Sequence, residues 1–139
     1  MTLRVLVSAL VIVHLIATLW HGDAHRKLSV ELDVSKTIFV YAVILIAPVV
    51  AVLFVWTRRM SAGLWILTLS MLGAFLFGAY HHYLLVSPDN IRHLPTGSDE
   101  AHSQFVLSAA VIAALELIAA VTGTICLGLR YRAFRGKSR

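Results

Sequence analysis

The chain has 139 residues, 59% of them hydrophobic, with a formal net charge of +5 and a mean hydropathy of +0.83. Soluble domains draw roughly half their residues from the apolar set, so this composition speaks for a bilayer protein and against a soluble enzyme domain. The basic balance does not make it a nucleic-acid binder, because there is no room for a soluble basic module.

A membrane-crossing helix needs about 20 mainly apolar residues, since the hydrocarbon core is roughly 30 Å thick and a helix rises about 1.5 Å per residue. Four segments reach that length, at about 3–20, 37–56, 63–86 and 104–129. The connections between them are short, so the expected fold is all-α: an integral membrane four-helix bundle forming a single transmembrane domain over residues 1–139.

The first segment follows Arg4 and superficially resembles a secretory signal, but no small-residue cleavage site follows it and the run ends in histidines. It closes with Trp20-His21-Gly22-Asp23-Ala24-His25. If the helix continues through Gly22, a rotation of about 100° per residue puts His14, His21 and His25 within an arc of about 40°. The i,i+4 spacing of His21 and His25 then lets both imidazoles meet one metal ion. Trp20, Trp56 and Trp65 read as interfacial anchors.

Between the first and second segments, Leu28, Val30, Leu32 and Val34 alternate with polar residues, which predicts a short strand or an interfacial stretch. Ser35 is the expected cap of the second helix. Pro48 removes a backbone donor in the middle of that helix and is expected to kink it.

The third segment ends in Tyr80-His81-His82-Tyr83. The two histidines point about 100° apart, so one is expected to face the bundle, and the sequence leaves open which. The tyrosines read as interfacial residues. Turn signals at Pro88-Asp89-Asn90 and Pro95-Thr96-Gly97-Ser98 predict a loop folding back over the helix ends. This loop brings Asp89 and His93 as further candidate ligands. Ser98-Asp99-Glu100 is suited to start the fourth helix, and His102 lies in its first turn.

The fourth segment holds Glu116 near mid-membrane, where an ionisable group is costly and calls for a partner. Counting depth from both sides puts His14 within about one helical turn of it. The pair serves either as a structural bridge or as a proton relay. Cys126, the single cysteine, cannot form an intramolecular disulfide and reads as a packing residue. Gly73 and Gly78 in the third segment, with Ala109, Ala113, Ala120 and Gly123 in the fourth, suit close helix packing, either within the bundle or in a homo-oligomer.

Charge sets the orientation. Arg4, Arg58, Arg59, Arg130, Arg132, Arg135, Lys137 and Arg139 fall on one side with no acid among them, while Arg26, Lys27, Lys36 and Arg92 on the other are outnumbered by acids. The positive-inside rule then predicts both termini cytoplasmic in an inner (cytoplasmic) membrane, with the lipid bilayer as the immediate partner. Six of the seven histidines fall at or beyond helix ends on the extracytoplasmic side.

Those histidines make a transition-metal site the leading expectation, with His21, His25, His81, His82, His93, His102 and Asp89 as candidate ligands. Zinc, copper and iron all accept neutral imidazole. No thiolate stands nearby for a blue-copper site, and no methionine cluster on that side favours Cu(I). The alternative cofactor is haem b, with His21 and either His81 or His82 as axial ligands. The function classes are accordingly a metal-dependent or redox protein, a haem electron-transfer subunit, or a non-catalytic subunit of a larger membrane complex. Phosphate-binding and dinucleotide motifs are absent, as is a serine or cysteine nucleophile with an evident base.

The runs Trp20–His25 and Tyr80–Pro95, together with a glutamate in the fourth segment, resemble small four-helix bacterial integral membrane proteins with WHGxxH and YHH motifs. That resemblance implies a fold and no function.

Overall fold

The computed structural model describes residues 2–137. Arg139, one of the basic residues assigned to the cytoplasmic side, and the Lys137 side chain lie outside what is described. Four helices make up the fold: α1 (Leu3–Lys27), α2 (Val34–Val55), α3 (Met60–Leu84) and α4 (Asp99–Lys137). All four are long and apolar enough to cross a membrane. Large apolar side chains such as Ile16, Leu53, Leu69, Leu76 and Ile118 stand exposed around the bundle, as expected of surfaces that meet lipid rather than water.

Each helix departs from its expected limits for a local reason. α1 runs through Gly22 to Lys27, where Arg26 and Lys27 pair with Asp23 one turn back and basic residues in the last turn favour the helix dipole. It ends where Ser29 takes a left-handed conformation, φ 53°. No strand forms among the described residues. Instead Leu28 and Val30 turn inward from an irregular connection and join Ala24, Ala101 and Phe105 in an apolar cluster.

At the start of α2 the cap is Asp33, whose carboxylate accepts from the Lys36 backbone N–H at 2.9 Å. Asp33 precedes the helix, whereas Ser35 already lies within it. That backbone hydrogen bond, the largest effect, holds the Asp33 carboxyl below its ordinary value. α4 starts at the expected signal, with Ser98 Oγ accepting from Ala101 N–H.

Pro48 does not break α2. The helix widens into a π segment over Val40–Ile46 and resumes as α-helix at Ala47–Val55, with Pro48 in its first turn. Proline is tolerated there because a first-turn N–H has no intrahelical partner to lose, and the wider turn absorbs the steric conflict behind it. α3 likewise ends in a π turn, Tyr80–Leu84, closed by Leu85 N–H donating to Tyr80 C=O at 2.8 Å.

The helices pack in a ring, α1 on α4, α4 on α3 and α3 on α2, closed by α2 against α1 through Ala47–Val55. At the end bearing both termini a tight apolar cluster forms from Val7, Val11, Ala51, Val55, Leu64, Leu67, Met71, Ala119 and Ala120, with Cys126 packed against it. α1 and α4 also share a polar seam. Lys27 Nζ donates to Gln104 Oε1 at 2.8 Å, and Gln104 Nε2 donates to Trp20 C=O at 2.9 Å. His21 meets Ser108, and His14 meets Glu116.

Close helix packing falls at Gly63, against the backbone of α2, and at Gly123, where a Cβ would meet Thr68 Oγ1 of α3, rather than at Gly73 or Gly78. A Cβ on Gly63 would lie 2.7 Å from both Ala51 O and Val55 N, whereas one on Gly73 or Gly78 would meet only side chains at 3.7 Å or more. Because the obstruction at Gly63 is backbone, it cannot rotate away. Gly63→Ala is therefore expected to destabilise the protein by about 1–3 kcal/mol through overpacking. Gly128→Ala, which meets nothing within 4 Å, should be neutral or stabilise by about 0.5–1 kcal/mol. Thermal unfolding in one detergent checks both.

Candidate metal centre

Three imidazoles converge at the end of the bundle opposite the termini. α1 supplies His21 and His25 from consecutive turns of one face, and the π turn of α3 supplies His82. His21 Nε2 lies 3.1 Å from His25 Nε2 and 3.2 Å from His82 Nε2. One ligand nitrogen from each of the three falls within 4.8 Å of the others. His21 is 8% exposed, and the side chains of His25 and His82 are 14% and 12% exposed.

The other nitrogen of each ring determines what these close approaches mean. His25 Nδ1 faces Val30 C=O at 3.3 Å and His82 Nδ1 faces Asp89 C=O at 3.0 Å. A carbonyl only accepts, so both Nδ1 atoms carry the hydrogen. His21 Nδ1 faces Ser108 Oγ at 2.8 Å, and that hydroxyl donates its own hydrogen to Gln104 C=O at 2.6 Å. Ser108 therefore accepts from His21, and His21 too is protonated at Nδ1. In the neutral rings all three Nε2 atoms then present lone pairs to one another with no hydrogen between them. Such a group is stabilised by a cation at its centre.

Asp89 adds a negative charge. The loop after α3 folds back as expected, with Ile91 N–H donating to His82 C=O and Asn90 Nδ2 donating to Leu85 C=O. Asp89 Oδ1 lies 3.3 Å from His25 Nε2 and 3.1 Å from His82 Nδ1. Asp89 is 4% exposed, and the groups beside its carboxylate are the His82 Nδ1–H and His25 Nε2. A buried carboxylate that faces only neutral imidazoles is costly and calls for a positive charge.

Phe105, fully buried on α4, forms the apolar wall of the site, with its ring centroid 4.7, 4.9 and 5.4 Å from those of His21, His25 and His82. Neither Phe105 nor Ser108 stands out in the sequence as a site residue. The available signal is helical spacing: Phe105, Ser108, Ile112 and Glu116 recur at three- and four-residue intervals on the face that meets α1.

The remaining sequence candidates lie elsewhere. His81 packs its ring on Phe77 at 4.4 Å and on Tyr80 at 5.1 Å, pointing away from the cluster. His93 is an exposed loop residue beside Asn90 Oδ1. His102 Nε2 donates to Pro95 C=O at 2.8 Å and serves to hold the loop. His14 and Glu116 meet as expected, Nε2 to Oε1 at 3.4 Å with side chains 1% and 2% exposed. They lie about 10–12 Å further along the helices than His21 and Ser108, from a rise of about 1.5 Å per residue.

No protein-family model, curated protein or solved structure matches this chain, so the chemistry of the site is read from its own atoms. One consequence concerns the tautomers. Long-range proton–nitrogen correlation spectra should show His21, His25 and His82 protonated at Nδ1. Ser108→Ala should disturb the His21 signal while leaving His25 and His82 as they are.

Proposed function

We propose that this chain is an integral membrane metal-binding protein whose centre is formed by His21, His25 and His82, with Asp89 as fourth ligand or charge partner. The observation that carries this reading is the convergence of three Nε2 lone pairs, each fixed by a hydrogen bond at Nδ1. Metal-bound histidines commonly donate their second N–H to a carbonyl, carboxylate or hydroxyl, which fixes the ring and raises its basicity.

The spacing suits a small transition-metal ion. Bonds of about 2.0–2.1 Å in tetrahedral geometry separate ligand atoms by about 3.3–3.4 Å, close to the 3.1 and 3.2 Å of the imidazole pairs and the 3.3 Å from His25 to Asp89. Three imidazoles and one carboxylate are compatible with zinc, copper or iron. With a divalent ion, Asp89 brings the buried charge down to +1.

Haem b is less well supported. His21 and His82 meet edge to face with centroids 4.9 Å apart, and His25 and Phe105 crowd the space in which a macrocycle would lie. An extracytoplasmic position for the centre, with both termini cytoplasmic, is the orientation that the basic residues around Arg4, Arg58, Arg59 and Arg130 favour.

Elemental analysis of protein purified without an affinity-metal step tests the proposal. Wild type should hold about one transition-metal ion per chain, and the double variant His21→Ala/His25→Ala should hold none. Asp89→Asn and Ser108→Ala should lower affinity about 10–100-fold. His81→Ala, His93→Ala and Glu116→Gln should keep the metal. Full retention in the double variant would overturn the assignment, and a strong Soret band would favour haem.

A further inference from the structure

α1 packs on α2 mainly through Ala47–Val55, and beside the first half of α2 a cavity of about 720 Å³ lies between the histidine cluster and Glu116. That volume lies in the range of small-molecule sites and far exceeds what one metal ion or a water of about 30 Å³ requires. Ile44, Ala74 and Ile112 form buried apolar walls. At the mouth, Leu19 of α1 and Tyr41 of α2 are exposed on the membrane-spanning surface. Beyond Glu116 the bundle is closed by Val7, Val11, Leu67 and Met71, each 2% exposed or less. The cavity is therefore a chamber closed toward the termini, not a conduction path; exposed residues line it both on the membrane-spanning surface, at Leu19 and Tyr41, and at the loop end, at Arg26 and Glu31.

Its polar groups specify the occupant. Glu116 lines the chamber while fully buried, and its hydrogen-bonding side-chain partner is His14, at a long 3.4 Å. A carboxyl group in that position gains from a ligand that donates a hydrogen bond and, when protonated, from one that accepts. A hydroxyl does both. At the inner end of the chamber an anionic ligand would set a second negative group against the Glu116 carboxylate; Asp23 is already paired with Arg26 and Lys27, and Asp89 stands with the histidine cluster. We infer that this chamber binds a lipid-soluble hydroxylated molecule, an alcohol or phenol. It enters between α1 and α2, with its hydroxyl at Glu116 and its apolar body beneath the histidine cluster. The inference stands on the cavity alone and does not require a metal.

The test uses protein in phosphatidylcholine nanodiscs and a photoactivatable hexadecanol carrying a diazirine in its chain, with labelled residues located by mass spectrometry. Label should concentrate on Leu19, Tyr41, Leu45 and Phe77. Unlabelled hexadecanol should suppress it about tenfold, whereas hexadecane and palmitate should not. Ala113→Trp, which fills the chamber, should abolish this labelling and leave that of lipid-facing Leu53 and Ile118 unchanged. Glu116→Leu should weaken competition by hexadecanol about tenfold, the loss of one hydrogen bond to a charged group. Labelling spread over Leu53, Leu69 and Ile118 in proportion to exposure, equal competition by hexadecane, or unchanged labelling in Ala113→Trp would overturn the proposal. Ala113→Trp and the competitors decide the matter even if Glu116→Leu fails to fold. Metal content measured on the same samples keeps the fate of the metal centre separate.

Discussion

Three imidazoles that, while neutral, face one another through unprotonated nitrogens place the main demand on the rest of this structure. Each ring is fixed from behind, His25 by the turn that ends α1, His82 by the backbone of the returning loop and His21 by a serine on α4. None can relieve the mutual repulsion by exchanging tautomers without losing that bond. A buried carboxylate, Asp89, stands beside them, against His82 Nδ1 and His25 Nε2. Local helix and loop geometry thus assembles a group that could hold a metal ion.

The seam between α1 and α4 connects this group to the fold. Packing of apolar side chains gives little driving force between helices in lipid, because the tails are as apolar as the side chains. Close contacts and interhelical hydrogen bonds have to carry the specificity. Here Gln104 grips the last turns of α1, Ser108 holds His21 and Glu116 meets His14. These contacts set the register of α1 against α4, and that register puts Phe105 behind the three rings. The opposite end is dry and tight, where Gly63 lets α2 and α3 come together. The bundle is consequently closed at one end and open at the other. The π segment of α2 lies beside the open half, and the chamber between the cluster and Glu116 belongs to the same asymmetry.

Much of this was legible in the chain. Apolar runs fixed the number of helices, because a span has a minimum length. The i,i+4 spacing of His21 and His25 put both on one face once α1 continued through Gly22, where ion pairs to Asp23 and a sterically open glycine favour continuation. Depth counting paired His14 with Glu116, since a buried charge needs a partner and few were within reach. Local rules also misplaced some features. Of the two readings of the alternating residues after α1, the strand does not form, since there is no partner strand among the described residues, and the alternation instead serves to bury Leu28 and Val30. Ser35 gave way to Asp33, whose carboxylate reaches the Lys36 N–H first.

Sequence alone determined which chemical groups this protein can bring to one end of a bundle, because residue type, spacing and span length follow from the one-dimensional pattern. Tertiary structure decided which of them meet. His82 joins the cluster and His81 turns to Phe77 because α3 ends in a π turn and the following loop folds back onto it. Asp89 reaches the rings while His93 and His102 do not, because that return path is fixed by the bonds from Ile91 to His82 and from Asn90 to Leu85. Ser108 and Phe105 acquire their roles only through the register of α4 on α1. Periodicity describes one helix at a time, whereas a ligand set is a property of the space between helices.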